Sequence, residues 1–238
     1  MVRQRHRDIA SLSCRKAPVL ESPSQLVVTP SGATTVVKTG SLLPYLSFLP
    51  YDGAVDYCPA LFESGESLHL FGELLAGIPW QQDEVILFGE KRILSRKVAW
   101  MGDGEFTYTY SGTSKVAAPW TPALLTIKER VESECGNQFN SCLLNLYHDG
   151  SEGMGWHSDD EKTLGENPVI ASVSLGAERI FKLKHRKSGE VVSVLLQNGS
   201  LLVMKEATQH HWVHTMPKTK KITTPRINLT FRKFAGNC

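Results

Sequence analysis

Alternation of apolar and polar residues with a period of two dominates the second half of the chain. Because successive side chains of a β-strand point to opposite faces, this alternation predicts short, half-buried strands. The predicted strands are residues 141–147, 169–175, 179–184, 191–196, 200–205 and 226–232. Residues 187–189 and 197–199 lie between predicted strands and contain the Gly or Asn that a β-hairpin needs. Both segments are therefore predicted to be hairpin loops.

Two stretches in the first half of the chain have the three- and four-residue spacing of an amphipathic helix. The first begins at Ser64 or Ser67, extends to Ala76 and stops before Pro79. The second follows Thr121, which can cap a helix, and Pro122, which favours the first helical position, and it can end at Gly136. Early helices and late antiparallel strands predict a mainly β fold with supporting helices, of the double-sheet jelly-roll type.

Length and composition favour one globular domain that does not cross a membrane. The chain has 238 residues, of which 41% are hydrophobic and 21% charged, and this length allows a full hydrophobic core. Its longest apolar runs, such as residues 42–50 and 201–204, are too short for a bilayer. Residues 1–40 lack sustained periodicity and are predicted to form a mobile N-terminal segment, which leaves residues 41–238 as the folded domain.

Cysteine usage and charge constrain the compartment and the partners. The five cysteines are scattered and form no C-x-x-C pair, which favours a reducing, intracellular compartment. We expect the nucleus in a eukaryote and the cytoplasm in a bacterium. The net charge of +2 does not by itself indicate a nucleic-acid binder. Basic residues cluster at residues 182–187 and 218–221, and these clusters are either solvated turns or phosphate-binding patches.

A histidine and an aspartate form a candidate metal-binding pair in the middle of the chain. His157 and Asp159 are two positions apart, so both side chains leave the same face of an extended segment. A His-x-Asp pair is common by chance, and a third ligand is needed for a two-His, one-carboxylate site. His210 and His214 alternate with other residues in what is predicted to be a late strand, and either could supply that ligand. Spacing alone does not choose between them.

The last predicted strand has a polar face that contains two arginines. Its polar face consists of Arg226, Asn228, Thr230 and Arg232, and its apolar face of Ile227, Leu229 and Phe231. Two arginines on a half-buried strand are unfavourable unless an anion meets them, and a dicarboxylate would do so. Asn145 and Tyr147 share a strand face just before the candidate metal-binding loop and offer two more polar contacts. The alternative is an edge strand with solvated arginines.

Together these motifs resemble the AlkB family of Fe(II)- and 2-oxoglutarate-dependent nucleic-acid dealkylases. The resemblance covers roughly residues 79–234 and is carried by Asn145-x-Tyr147, His157-x-Asp159, His214 and the run from Pro225 to Arg232. The segments 108–112, 156–161 and 212–214 are most similar to the branch that repairs duplex DNA. The family's fold, a double-stranded β-helix with an added nucleotide-recognition lid, agrees with the predicted strands. The lid would lie at about residues 79–118 of a dioxygenase domain.

The resemblance implies a role for each site residue. The iron ligands would be His157, Asp159 and His214, which decides against His210. The 2-oxoglutarate contacts would be Asn145, Tyr147, Arg226, Asn228 and Arg232. The substrate contacts would be Phe88, Arg96, Tyr108, Tyr110, Asp160, Glu161, Arg186 and Lys187. Among these, Tyr110 is expected to stack on the flipped base opposite His157, and Phe88, at a predicted hairpin tip, either fills the gap in the base stack or folds back onto the domain.

The expected activity is oxidative demethylation of DNA. Fe(II), 2-oxoglutarate and O2 would be the cofactor, co-substrate and oxidant, and bases such as 1-methyladenine and 3-methylcytosine would be restored with release of formaldehyde and succinate. Asp160 could favour a cationic methylated base by charge attraction. The expected partner is alkylated DNA, double- or single-stranded, and the protein is expected to be a monomer. The alternatives are the same iron chemistry on RNA or protein, or a non-catalytic jelly-roll binding module.

Overall fold

The structure is a computed structural model that describes residues 25–28, 34–37, 48–87, 90–104, 107–110 and 113–234. The strands in these ranges are β1 Gln25–Val28, β2 Thr34–Val37, β3 Ala54–Cys58, β4 Gln81–Leu87, β5 Glu90–Gly102, β6 Thr107–Tyr110, β7 Thr113–Val116, β8 Ser141–Tyr147, β9 Met154–His157, β10 Ile170–Gly176, β11 Arg179–His185, β12 Val191–Leu196, β13 Ser200–Lys205, β14 Trp212–Met216 and β15 Arg226–Arg232. The helices are α1 Ser64–Gly77, α2 Pro122–Cys135 and α3 Thr208–His211, with a 3-10 turn at Lys162–Leu164.

Two antiparallel sheets form the body of the protein. The larger sheet has seven strands in the order β3-β13-β10-β15-β8-β5-β4, and the smaller has four in the order β12-β11-β14-β9. One apolar cluster lies between the sheets and includes Trp212 and Leu202. A second cluster joins α1 and α2 to the opposite face of the larger sheet and includes Leu74, Ile127 and Leu229. The predicted class, mainly β with supporting helices and a jelly-roll arrangement, is confirmed.

Both ends of helix α2 are determined by residues that the sequence places there. The Thr121 hydroxyl accepts a hydrogen bond from the backbone N–H of Leu124 at 3.3 Å, and Pro122 occupies the first turn. Gly136 ends the helix at φ 67°, a left-handed conformation that glycine adopts without a Cβ clash. Three buried residues, Leu124, Ile127 and Val131, face the core. Both predicted helices are present, and α1 ends one residue later than predicted.

The strand predictions hold closely, but one loop prediction is wrong. Strands β8, β12, β13 and β15 have the predicted bounds, and β10 and β11 differ from them by one residue at their ends. Residues 197–199 do not close a hairpin, because β12 and β13 belong to different sheets. Gly199, at φ 80°, turns the chain across the sandwich instead. A glycine turn reverses the chain locally, but it does not determine whether the strands on either side pair.

The late strand that contains His214 begins later than predicted. It starts at Trp212, and His210 lies in α3 instead. The prediction of a strand through His210 is therefore wrong. A polar run such as Thr-Gln-His-His fits a single helical turn as well as it fits a strand, and period-two alternation over so few residues cannot distinguish them.

Strands β4 and β5 form a long hairpin at one edge of the larger sheet. Residues Lys97 to Gly102 of β5 pair with β8. The pairing of β5 with β4 extends further, as far as Glu90 of β5 opposite Leu87 of β4. The first half of β5 and its partner β4 therefore extend beyond the end of β8. Strands β6 and β7 form a separate small hairpin. The role of residues 79–118 as a lid remains a prediction.

The N-terminal prediction also remains open. Within residues 1–40 the structure describes strands β1 and β2, which pair antiparallel, and the other residues of this segment lie outside the described ranges. None of the described helices is both long and apolar enough to span a membrane.

Candidate metal centre

Three predicted ligands meet between the two sheets. His157 ends β9 and pairs directly with His214 on β14, and their ring centroids are 4.2 Å apart. Asp159 follows two residues after His157, and the ligand atoms of all three side chains lie within 4.8 Å of one another. His210 is not part of this cluster. Two imidazoles and one carboxylate on one side of a metal ion leave coordination positions open, which is the arrangement of non-haem Fe(II) oxygenases.

The surroundings of Asp159 and His214 favour the protonation states that bind a cation. Burial alone would raise the pKa of Asp159, but Arg232, His214 and His157 lower it below its ordinary value. Arg232 Nη2 donates a hydrogen bond to Asp159 Oδ1 at 2.8 Å. Burial, reinforced by His157, lowers the pKa of His214 to about 3. An ionised carboxylate and a neutral imidazole are the forms that coordinate metals.

Two further contacts orient the ligands. The Nδ1 atom of His157 lies 2.9 Å from the carbonyl oxygen of Gly155. A proton on Nδ1 would be donated to that carbonyl, which leaves Nε2 for a metal. Buried Gln209, on α3, accepts a hydrogen bond from the backbone N–H of Asp159 at 2.9 Å through Oε1. Sequence reasoning missed Gln209, because no local spacing links it to a residue 50 positions earlier.

A cavity lined by both polar and apolar side chains adjoins the three ligands on the side of the larger sheet. Its polar walls include Asn145, Tyr147, Ser172, Arg226, Asn228 and Thr230. The register explains this grouping, because Asn228 pairs with Asn145 and Arg226 with Tyr147 on neighbouring strands. The Asn228 amide nitrogen donates to Ser172 Oγ at 2.9 Å and to the Val173 carbonyl at 3.0 Å. The Asn228 carbonyl oxygen accepts a hydrogen bond from Thr230 Oγ1 at 3.4 Å, so the polar groups of Asn228 are used within the sheet.

Arg226 is a buried cation without an anionic partner among the described residues. Its side chain is 2% exposed, its Nη2 donates to Ser174 Oγ at 2.9 Å, and its guanidinium lies 5.7 Å from the Tyr147 ring centre. Its Nε has no hydrogen-bond acceptor in the described part of the chain. Burial lowers the pKa of Arg226 to about 10. A buried guanidinium with an unused donor is the feature that a carboxylate ligand would satisfy.

Comparison with known proteins decides the family. The profile of the 2OG-Fe(II) oxygenase superfamily matches residues 54–232. The DNA oxidative demethylase ALKBH2 of Mus musculus is 40% identical over 184 residues, which cover 73% of this chain and 77% of that protein. The chain belongs to the 2OG-Fe(II) oxygenase superfamily and, within it, to the AlkB family. The resemblance seen in the sequence is thereby confirmed.

Other relatives extend the comparison. The alpha-ketoglutarate-dependent dioxygenase alkB homolog 3 of Bos taurus is 39% identical over 185 residues, covering 74% of this chain and 64% of that protein. ALKBH2 of Bos taurus is 40% identical over 184 residues, covering 73% of this chain and 66% of that protein. The chain thus spans just under two thirds of the length of these two relatives. The solved structure of OsALKBH1 has the same fold, with a TM-score of 0.55 at 15% identity, covering 75% of this chain and 97% of that one.

The donor set of this AlkB-family chain fits the two groups that the superfamily description names. Two imidazoles and a carboxylate suit Fe(II), and the unused Nε of Arg226 suits a carboxylate of 2-oxoglutarate. The predicted Fe(II), 2-oxoglutarate and O2 are the metal, co-substrate and oxidant of this family.

A second cavity opens beside His157 and Asp159, towards the β4–β5 hairpin. Its apolar walls include Val98 and Trp100, and Glu161 is one of its acidic residues. Arg96 also lines it, but buried Asp83 accepts hydrogen bonds from Arg96 Nε and Nη2 at 2.9 Å and 2.6 Å. This pairing makes Arg96 a fixed wall of the cavity and holds β4 against β5.

Among the described residues, the other three predicted substrate contacts, Asp160, Arg186 and Lys187, do not line this cavity. Asp160 lies at the surface and pairs with Arg186 at 3.6 Å, and Arg186 Nη2 also donates to Ser158 Oγ at 2.6 Å. Lys187 is exposed in the turn after β11. Phe88 and the side chains of Tyr108 and Tyr110 lie outside the described part of the structure. Of the two neighbouring acidic residues, Glu161 rather than Asp160 faces the cavity.

Proposed function

We propose that this protein removes alkyl groups oxidatively from N-alkylated DNA bases, such as 1-methyladenine and 3-methylcytosine, and releases formaldehyde and succinate. The observation that carries the proposal is the position of His157, Asp159 and His214 beside a cavity lined by Arg226, whose Nε has no acceptor among the described residues. The metal centre and a candidate anion site therefore adjoin the same cavity. The relatives named DNA oxidative demethylase support DNA as the substrate.

In this proposal each group of residues around the metal centre has a separate role. Bound Fe(II) and 2-oxoglutarate supply the oxidation, in which O2 converts 2-oxoglutarate to CO2 and succinate and adds a hydroxyl group to the methyl carbon of the base. His157, Asp159 and His214 hold the metal, and Gln209 and Arg232 hold Asp159 in place. Arg226 binds a carboxylate of 2-oxoglutarate. The hydroxymethyl group on the ring nitrogen then breaks down to formaldehyde and the free base.

The second cavity is the proposed site of the damaged base. Val98 and Trp100 provide apolar walls for a planar ring, and the His157 ring lies at the boundary with the metal centre. Glu161 places a carboxyl group there, and a carboxylate attracts a methylated base that carries a positive charge. The β4–β5 hairpin and the basic turn after β11 flank this side and would contact the DNA backbone.

The test measures succinate and formaldehyde from oligonucleotides that carry 1-methyladenine or 3-methylcytosine. Single- and double-stranded DNA and RNA of the same sequence are compared side by side with the wild-type protein and with Asp159→Ala. We expect both products from DNA with the wild type and neither product with Asp159→Ala, which loses one of three protein ligands. The Asp159→Ala protein should keep its far-UV circular dichroism spectrum.

Three results would contradict this proposal in different ways. Turnover with RNA but not with DNA would show that RNA is the substrate. Succinate formed only when a peptide replaces the oligonucleotide in the same assay would indicate a protein substrate. An absence of succinate with every substrate, despite a bound metal, would favour a binding module.

A further inference from the structure

A second cluster of metal-binding side chains lies at one end of the smaller sheet, apart from the three ligands at the metal centre. It consists of Asp52 in the loop before β3, His185 at the end of β11, and His211 at the end of α3. The ligand atoms of these three residues lie within 4.8 Å of one another. Trp212 is the register partner of His185, whereas His214 pairs with Leu183, two residues earlier on β11. The cluster therefore shares no residue with the metal centre.

His185 is the buried member of this cluster and carries an unused nitrogen. The residue is 4% exposed, and its ring packs edge-on against the Tyr51 ring at 4.9 Å. Its Nε2 lies 3.2 Å from Asp52 Oδ2 but makes no hydrogen bond with a described residue. A buried ring nitrogen that faces a carboxylate without hydrogen-bond geometry is an available ligand atom.

The other ring nitrogen of His185 has an acceptor for a proton. Nδ1 lies 3.0 Å from Ser188 Oγ, which is 2.8 Å from the Tyr51 hydroxyl, and Tyr51 donates to Glu190 at 2.7 Å. A proton on Nδ1 would therefore be donated into a chain of hydrogen bonds that ends at the Glu190 carboxylate. A metal-bound histidine commonly donates its other ring N–H in this way. The backbone N–H of Ser188 also points at Nδ1 at 3.1 Å and favours the opposite tautomer, in which Nε2–H faces Asp52. A metal ion at Nε2 would select the first tautomer.

The loop that carries Asp52 is held rigidly against α3. Asp52 has a φ of 54°, a left-handed conformation that few residues other than glycine adopt. A Cβ at Gly53 would lie 2.6 Å from Thr208 Oγ1, and that hydroxyl accepts a hydrogen bond from the Ala54 N–H at 3.0 Å. Trp212 Nε1 donates to the Tyr51 carbonyl oxygen at 3.1 Å. These anchors keep the Asp52 carboxylate beside His185 without a metal, so little reorganisation is needed for binding.

We propose that Asp52, His185 and His211 bind a divalent transition-metal ion, with Zn²⁺ as the ion that fits best and water as the fourth ligand. Metal–ligand distances near 2.0–2.2 Å place tetrahedral ligand atoms about 3.3–3.6 Å apart. The separation of 3.2 Å between Asp52 Oδ2 and His185 Nε2 lies just below this range, so these two atoms need to move only slightly to bind one ion. His211 is exposed at the end of a single helical turn, so its ring can move towards the other two ligands.

The experiment measures Zn²⁺ binding in a protein whose iron ligands have been removed. Asp159→Ala combined with His214→Ala serves as the background, so that Zn²⁺ cannot occupy the metal centre. Equilibrium dialysis at micromolar free Zn²⁺ should give one bound equivalent, and Zn²⁺ should raise the melting temperature. Since loss of even an outer-shell partner costs roughly 10–100-fold in affinity, adding Asp52→Asn or His211→Ala should weaken binding at least about tenfold.

His210→Ala is the matched control, because His210 is an exposed neighbour on the same helical turn but lies outside the cluster. It should bind Zn²⁺ as the background protein does. Asp52 and His211 are both exposed, so their variants should keep the far-UV spectrum of a folded protein. The proposal is overturned if the background protein binds no Zn²⁺, or if binding survives Asp52→Asn with His211→Ala. An equal loss of Zn²⁺ binding in His210→Ala would also overturn it. So would a change in melting temperature that Asp52→Asn causes only when Zn²⁺ is absent, because that result would indicate a structural ion pair between Asp52 and His185.

Discussion

Two buried arginines give a sharp test of the anion site, because their surroundings differ. Arg179 is 1% exposed, and its Nη2 donates to the carbonyl oxygens of Glu152 at 2.8 Å and Pro217 at 2.9 Å. Arg226 is 2% exposed, but its Nε has no acceptor among the described residues. If Arg226 is kept for a ligand and Arg179 for the fold, the substitutions Arg226→Met and Arg179→Met should have opposite effects.

The magnitudes follow from these contacts. The fall in the pKa of Arg226 from 12.5 to about 10 corresponds to about 3 kcal/mol against the charged form in the folded protein. This cost is present at any pH below about 10, since the unfolded side chain is also charged there. Arg226→Met removes the cost together with one hydrogen bond to Ser174, so the ligand-free protein should be no less stable than the wild type. Arg179→Met leaves buried carbonyls without donors and should lose about 1–3 kcal/mol.

Ligand binding should show the reverse pattern. A hydrogen bond to a charged group contributes about 1.5–3 kcal/mol, so Arg226→Met should weaken 2-oxoglutarate binding roughly 10- to 150-fold. Arg179→Met should leave it unchanged. The assay is thermal unfolding with Mn²⁺ as a redox-silent metal, with and without 2-oxoglutarate, and urea unfolding of the ligand-free proteins. An undiminished 2-oxoglutarate-dependent rise in melting temperature in Arg226→Met, or a loss of ligand-free stability equal to that of Arg179→Met, would refute the reasoning.

Two further predictions concern the ligand loop and the hairpin tip. Gln209→Met removes the acceptor for the Asp159 N–H and should weaken metal binding roughly 10–100-fold, whereas Gln209→Glu, which keeps an acceptor oxygen, should bind metal as the wild type does. Equal metal affinity in both variants, measured by titration, would contradict this role. Phe88→Ala should lower activity on a lesion in double-stranded DNA and spare the same lesion in a single strand, because only a duplex opposes extrusion of the base, by a few kcal/mol. A loss of equal size on both strands would rule out a wedge at Phe88.

Most of the sheet core could be predicted from the sequence, because burial there depends on local alternation. Strand β15 is the clearest case: Ile227, Leu229 and Phe231 are fully buried on one face, as their period-two spacing predicts. Helix α2 was predictable for a similar reason, since its cap and its end depend on Thr121 and Gly136. In these elements the signal lies within a few residues of the structure that it determines.

The elements that escaped prediction are short or depend on distant partners. Strand β9 has four residues, including Gly155, and is held by its pairing with β14 rather than by a pattern of its own. In the same way, the metal-binding residues were visible in the sequence, but their supports were not. Gln209 reaches Asp159 across 50 positions, and Arg232 reaches it across 73. Contacts of this kind arise only when the sheets come together.

The buried arginines show that the sequence indicates an anion-binding site, whereas the structure is needed to decide which arginine is available to bind the anion. Four arginines are buried among the described residues: Arg96, Arg179, Arg226 and Arg232. Asp83 pairs with Arg96, backbone carbonyls accept from Arg179, and Asp159 pairs with Arg232. Because a buried charge is unfavourable without a partner, these contacts account for the burial of Arg96, Arg179 and Arg232, and the contact of Arg232 with 2-oxoglutarate stays a prediction. Arg226 lines the cavity beside the metal centre and donates only to the Ser174 hydroxyl among the described residues, so the same physical rule assigns Arg226 to a ligand.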